Sequence, residues 1–152
     1  MLAALVCLSG CGDKATDQDA AFSHKKAAAL SGLQTVESVE DALGEPISET
    51  RLNDGESVLI YPRWRLIFEK GALVRRYREL ERGRGPRISA QELDARILAL
   101  DPGMGVSEVA RRVGEPAVVE LFYQGGHAPE RILRYMSWEL RFHDGELRYR
   151  SR

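Results

Sequence analysis

Trp64 to Leu73 reads WRLIFEKGAL, and Trp138 to Leu147 reads WELRFHDGEL. A Trp, a Leu, a Phe, a Gly and a final Leu recur at the same five places of the ten. A coincidence of that size in register marks an internal duplication, so the chain is read as two copies of one unit. Working upstream, Leu43-Gly44-Glu45-Pro46 returns as Val113-Gly114-Glu115-Pro116, an offset of 70, whereas the Trp offset is 74. The second copy therefore carries four extra residues between these two landmarks.

The unit itself follows from local signals. A first helix is expected over about Gln18 to Leu30, with Ala21, Phe22, Ala28 and Leu30 as its apolar positions, ended by Ser31 and Gly32. Thr35 is placed as the N-cap of a short helix carrying Val36, Val39 and Leu43 on one face and closed by Gly44 and Pro46. In the second copy Ser89 and Glu92 form a capping-box pattern before Leu93, Ile97 and Leu98, and a further helix carries Val106, Val109 and Val113. Strands are expected over residues 47–52 and 58–61, with turn chemistry at Asn53 to Glu56, and again at Val118 to Tyr123 and Ile132 to Tyr135 around the loop QGGHAPE. Lys70-Gly71 and Asp144-Gly145 fit two-residue hairpin turns. The expected fold is α+β, two tandem repeats that each hold two helices followed by a four-stranded antiparallel meander. The boundaries are a signal segment 1–10, a lipidated Cys and tether 11–20, a first repeat 21–81, a linker 82–87 and a second repeat 88–152.

Hairpin register turns these strands into faces. Uninterrupted pairing puts Phe68 opposite Leu73, Phe142 opposite Leu147 and Leu140 opposite Tyr149, with the apolar set against the helices. On the other face it sets Arg65 across from Arg76, Arg63 across from Arg78 and Arg141 across from Arg148. Like charges directly opposed are unfavourable. Two readings stay open: a face that meets an acidic protein or lipid phosphate, or a solvated face neutralised by Glu69, Glu79, Glu139 and Glu146. Tyr61 and Tyr135 occupy matching places and are either interface aromatics or packing residues. The candidate partner-binding set is Arg63, Arg65, Arg76, Arg78, Arg141, Arg148, Tyr61 and Tyr135.

The chain has 152 residues, 43% of them hydrophobic, and a formal net charge of -1, which gives no overall attraction to nucleic acid. Charge is uneven: residues 1–50 hold three Lys against eight acids, residues 51–100 eleven basic groups against seven acids, and the remainder eight of each. The first residues, MLAALVCLSGC, are apolar and end in Leu8, Ser9, Gly10 and Cys11 before a polar stretch. This resembles a bacterial lipobox, which implies cleavage before Cys11, lipid on that Cys and stable anchoring. Gly12 then favours outer-membrane sorting. The segment before Cys11 has no Lys or Arg and is shorter than the ordinary signal of about 15–30 residues, so a truncated start is expected. A buried apolar strand with two incidental Cys is the alternative.

GMGVSEVARRVGEP, Gly103 to Pro116, resembles the SmpA/OmlA-type pattern of outer-membrane lipoproteins, as do the aromatic, Phe and Gly that follow; the first copy, LQTVESVEDALGEP, keeps the Thr but lacks the leading Gly-Met. One copy is similar to an accessory subunit of the outer-membrane barrel-assembly machinery. Two copies are similar in plan to β-lactamase inhibitor proteins, without the cysteines for their disulfides. The resemblance implies an outer-membrane lipoprotein facing the periplasm of a Gram-negative envelope, acting as a non-enzymatic binding or scaffold module in outer-membrane assembly or integrity. Its alternative is a proteinaceous inhibitor of a periplasmic hydrolase such as a β-lactamase. Expected partners are an envelope protein, the membrane through lipid on Cys11, and anionic lipid, with no nucleic acid. His24, His127 and His143 lack metal-ligand spacing, and no nucleophile elbow, phosphate loop or paired-carboxylate signature occurs, so no catalytic residue, metal or cofactor is assigned.

Overall fold

A computed structural model describes residues 22–52, 54–125 and 127–152. Cys7, Cys11, the tether and the part of the expected first helix before Phe22 lie outside the described residues, as does Asn53 of the expected turn. The described elements run α1 (His24–Ala29), α2 (Val36–Leu43), β1 (Ser48–Arg51), β2 (Glu56–Tyr61), β3 (Trp64–Glu69), β4 (Ala72–Arg82), α3 (Ala90–Leu98), α4 (Val106–Val113), β5 (Val118–Gln124), β6 (Glu130–Tyr135), β7 (Trp138–His143) and β8 (Glu146–Ser151). Caps explain the starts. The Thr35 hydroxyl accepts from Ser38 N at 3.2 Å and the Ser89 hydroxyl from Glu92 N at 3.1 Å, each satisfying an orphan donor of its helix. Both α2 and α4 stop at a Gly, Gly44 with φ 86° and Gly114 with φ 108°, conformations that strain any side chain.

The two-repeat architecture with separate meanders is corrected by the strand order. All eight strands form one antiparallel sheet in chain order, β1 to β8. β4 continues to Arg82 and pairs along β5, from Arg75 against Gln124 to Arg82 against Val118. A free β4 edge would leave a row of unpaired backbone groups; pairing with β5 removes that edge and extends one hydrogen-bonded ladder through the molecule.

The expected register is also corrected, at the same place in both hairpins. Lys70 and Gly71 both have positive φ, as do Asp144 and Gly145, which is the type I′ geometry that favours two-residue hairpins. Two residues later each return strand bulges. Ile67 pairs with Arg75 while Phe68 pairs with Leu73, leaving Val74 extra; Arg141 pairs with Tyr149 while Phe142 pairs with Leu147, leaving Arg148 extra. One inserted residue exchanges the faces of everything beyond it. Arg65 therefore faces Tyr77, Trp64 faces Arg78, Leu140 faces Arg150 and Arg141 faces Tyr149. The expected Arg65–Arg76, Arg63–Arg78, Arg141–Arg148 and Leu140–Tyr149 pairs do not form.

The bulges supply helix caps. They send Arg76 and Arg150 to the helix side, where Arg76 Nη1 donates to the carbonyls of Ala28 (2.9 Å) and Ala27 (3.4 Å). Arg150 Nη1 donates to Ile97, Leu98 and Leu100 at 2.9 to 3.0 Å. Carbonyls at a helix C-terminus lack intrahelical partners and carry partial negative charge, so a cation there satisfies both needs. Burial lowers the pKa of Arg76, with the neighbouring Tyr123 opposing that shift.

Two apolar clusters lie under the helices. One joins Val39, Leu59, Trp64, Leu66, Phe68 and Leu73; the other joins Leu93, Val109, Leu133, Leu140, Phe142 and Leu147. Both occupy one face of the sheet, because Arg76 pairs with Tyr123, Arg78 with Leu121, and Val119 with Leu133, linking the helix-facing positions across the middle strands. The indole N–H of Trp64 donates to His24 Nδ1 at 3.0 Å and that of Trp138 to Asp94 Oδ1 at 2.7 Å, fixing α1 and α3 to the sheet. The Asp94 carboxyl is held below its usual range, by the hydrogen bond from Arg152 first and by Trp138 second.

The buried Tyr61 and Tyr135 hydroxyls donate to the carbonyls of Gly44 (2.9 Å) and Gly114 (3.0 Å), tying the ends of α2 and α4 to the sheet. Burial pushes each phenol up to about 12. A phenol whose pKa is higher folded than unfolded contributes stability that is complete below about 10 and lost as pH rises through the folded value. Stability measured by urea unfolding is thus expected to hold up to about pH 10 and to fall between about 10 and 12. Y61F/Y135F should start about 2 kcal/mol lower, from two lost hydrogen bonds, and show a shallower alkaline fall. An unchanged alkaline slope in the double variant would rule out these phenols as its source.

Candidate binding face

Among the described residues no helix covers the other face of the sheet, yet its central residues are buried. Ile67, Tyr77, Phe122 and Ile132 form a separate apolar cluster there, with Val58 and Val74 packed against it. Alternation puts them there: Tyr77 pairs with Phe122, and Ile132 stands across β5 and β6 from Glu120. The Tyr77 and Phe122 rings lie 4.9 Å apart at 31°. Their cover is made of arginine. The Arg65 guanidinium carbon sits 4.4 Å from the Tyr77 ring centre, that of Arg141 4.9 Å from the Phe122 centre, and that of Arg134 6.0 Å from Tyr77. Guanidinium planes attract ring faces while their stems shield apolar surface from water.

Two carboxylates lock this layer. Glu120, 7% exposed, accepts from Arg134 Nε at 2.6 Å and lies 3.6 Å from Arg65 Nη2. Glu139 meets Arg134 at 2.6 Å and Arg141 at 2.5 Å. Burial alone would push the Glu139 carboxyl up, but the hydrogen bond from Arg141 and the charges of Arg134 and Arg141 outweigh it and hold the carboxyl low. Burial likewise works against the charged form of Arg134, but Glu120 and then Glu139 together outweigh it and its pKa rises. At the margin Arg75 pairs with Glu69 (2.7 Å) and Glu56 (3.2 Å). The face is a chain of alternating charge over an aromatic floor and not an array of opposed cations.

At one end of the floor, beside the β2–β3 turn, opens a cleft of about 610 Å³. Ile47, Ile60, Pro62 and Val118 give it apolar walls, and Arg65, Tyr77 and Glu120 line it from the floor side.

The structure distributes the sequence candidates unevenly. Arg65 and Arg141 lie on the uncovered face. Arg63 sits in the Pro62-Arg63 turn with φ 58° and lines the cleft. Arg76 is buried under α1, and Arg78 also points to the helix side, 5.9 Å from the Trp64 ring centre. Arg148 is the extra residue of the second bulge and pairs with Glu146 at 2.7 Å. Tyr61 and Tyr135 are buried against the helix ends. Cys11 lies outside the described residues. The residues the sequence did not single out are Tyr77, Glu120, Phe122 and Arg134. Arg134 opposite Glu139 was readable from the short loop between Tyr135 and Trp138; Glu120 and the Tyr77–Phe122 stack require the β4–β5 pairing. Among the described residues no cluster of three or more His, Cys, Asp or Glu could hold a metal, and no helix is long and apolar enough to cross a membrane.

No family model matches the chain, so the SmpA/OmlA-type resemblance has only the residues quoted for it. No curated protein matches either. Among solved structures, similarity is found to a Streptococcus mutans protein described as a candidate β-lactamase inhibitor, at 18% identity and TM-score 0.37, covering 78% of this chain and 81% of that one. A likeness that distant carries no argument about function.

Proposed function

We propose that this chain is a non-enzymatic binding module that engages a protein partner through the helix-free face of its sheet, as a lipid-anchored component of a Gram-negative envelope. The observation that carries the proposal is the locked layer of Arg65, Arg134 and Arg141 over Tyr77 and Phe122. Aromatic and arginine side chains already held in one geometry lose little entropy on association, and such residues concentrate binding energy at interface centres. Leu8-Ser9-Gly10-Cys11 supports the anchor, and the Gly103 to Pro116 motif supports a role in outer-membrane assembly or integrity.

The test is position-resolved crosslinking. A photoreactive phenylalanine is placed at Thr50 or Tyr149 on the uncovered face, and at Lys25 or Arg111 on the helix side as controls. One envelope protein should be captured from the first pair and not from the second. Capture from the helix positions alone, or equally from all four, would overturn the assignment. A barrel-assembly subunit in the adduct supports the assembly role; a hydrolase in its place removes that role and keeps the face.

A further inference from the structure

We infer that the cleft beside the β2–β3 turn is a binding site for a carboxylate carried on an apolar stem, with Arg65 receiving the acid group. This goes beyond the partner-binding role and stands or falls separately from it.

The two hairpins differ in the charge they carry on the uncovered face. Residues 74 apart occupy equivalent places, so Arg65 stands where Glu139 stands in the later hairpin, and Ile60 where Arg134 stands. The later hairpin is self-neutralising, with Arg134 directly across from Glu139. In the earlier hairpin Arg65 faces Ile60 and has no carboxylate across from it. Its one carboxylate among the described residues is Glu120, 3.6 Å away and already hydrogen-bonded to Arg134 at 2.6 Å. The Nε of Arg65 is buried with no hydrogen-bond acceptor among the described residues. Arg65 is also the most exposed of the three guanidiniums over the floor, its side chain 39% accessible against 30% for Arg134 and 33% for Arg141.

The surroundings select an anion. Arg63, Arg65, Arg82 and Arg134 line the cleft against two carboxylates, Glu79 and Glu120. Glu79 is committed to Arg82 by two hydrogen bonds, at 2.6 and 3.1 Å. Glu120 and Glu139 are both bonded to Arg134, so Arg65 is left with only a shared carboxylate, in a space of about 610 Å³, inside the range of roughly 300–1,000 Å³ usual for small-ligand sites. Apolar walls and a 52% exposed Ile47 at its edge favour a hydrocarbon or aromatic stem behind the charge. Stacking on Tyr77 holds the Arg65 fork ready, and a guanidinium matches a carboxylate with two parallel donors.

Such an acid group arises either from a small organic acid or from the free C-terminus of a polypeptide ending in an apolar residue. Calorimetric titration of the full chain uses phenylbutyrate, phenylbutyramide, and a short Phe-ending peptide in free-acid and amidated forms. Saturable binding is expected for at least one acid and weaker binding by about tenfold or more for its amide, the range expected for a charged hydrogen bond. The stronger of the two acids identifies the source. Arg65→Gln should abolish the preference for acid over amide. Ile60→Glu, which places a carboxylate opposite Arg65 as Glu139 is placed opposite Arg134, should compete from within and weaken the acid about tenfold. Equal affinity for acid and amide, full acid affinity in Arg65→Gln, or no saturation by either acid would overturn the inference. Crosslinking at Tyr149 is unaffected by any of these results, so failure here leaves the partner-binding role to its own test.

Discussion

Arg76→Ala is expected to remove about 3 kcal/mol of stability, because the carbonyls of Ala27 and Ala28 at the end of α1 would lose their charged donor. Arg76 reaches them because Val74 is the extra residue of the first bulge. With Val74 present and paired, Arg76 would stand opposite Arg65 on the uncovered face, and Tyr77 would leave Phe122 for the helix side. Deleting Val74 closes the strand without changing the pairs beyond it: Phe68 keeps Leu73, Ile67 keeps Arg75 and Leu66 keeps Arg76. The deletion should therefore cost only about 1 kcal/mol, from the lost packing of a half-buried side chain. Urea unfolding of the two variants decides the matter. A deletion variant less stable than Arg76→Ala would show that the pairs are not kept when the bulge is closed.

Glu120→Ala is expected to cost about 3 kcal/mol, because removing one partner of a buried ion pair strands the other. Arg134 would keep Glu139 on one side but lose its 2.6 Å contact on the other, and Arg65 would lose its nearest carboxylate. The consequence reaches the aromatic floor, since Arg65 and Arg134 both lie over Tyr77. Replacing charge and partner together tests the same idea in the opposite direction. In Glu120→Leu with Arg134→Met, Glu139 keeps Arg141 and the Arg65 side chain, 39% accessible, is left to water, so a large part of the loss should return, as with other buried pairs exchanged for apolar residues. A single-variant loss below about 1 kcal/mol would place Glu120 among ordinary surface pairs. The double variant should also reduce crosslinking from Tyr149, which pairs with Arg141, whose guanidinium shares Glu139 with Arg134.

Much of the local structure was readable from the residues. Thr35, Ser89, Gly44 and Gly114 mark helix ends through cap chemistry that acts within four residues, so composition and spacing suffice to place them. The Lys70-Gly71 and Asp144-Gly145 turns were visible for the same reason. The N-terminal limit of the first helix lies outside the described residues. Face assignment failed one step beyond the turns. A bulge adds a residue without any residue type that announces it: Val74 and Arg148 are unlike each other, and neither is Gly. The advantage lies forty-eight to fifty-three positions away, in the carbonyls that Arg76 and Arg150 reach. The error in register is also why opposed arginines were expected where Tyr77 and Tyr149 stand.

The sequence by itself determined the recurrence of WRLIFEKGAL as WELRFHDGEL, the helix caps, the tight turns and the apolar positions of each strand. These are short-range properties, set by backbone sterics, side-chain capping and alternation. Only the tertiary structure decided that β4 and β5 join eight strands into one sheet, and that two bulges turn Arg76 and Arg150 into helix caps. It also placed Glu120 between Arg65 and Arg134. Each depends on contacts across dozens of residues, in which exposed edges, orphan carbonyls and uncompensated charges are resolved by partners that no local stretch can name.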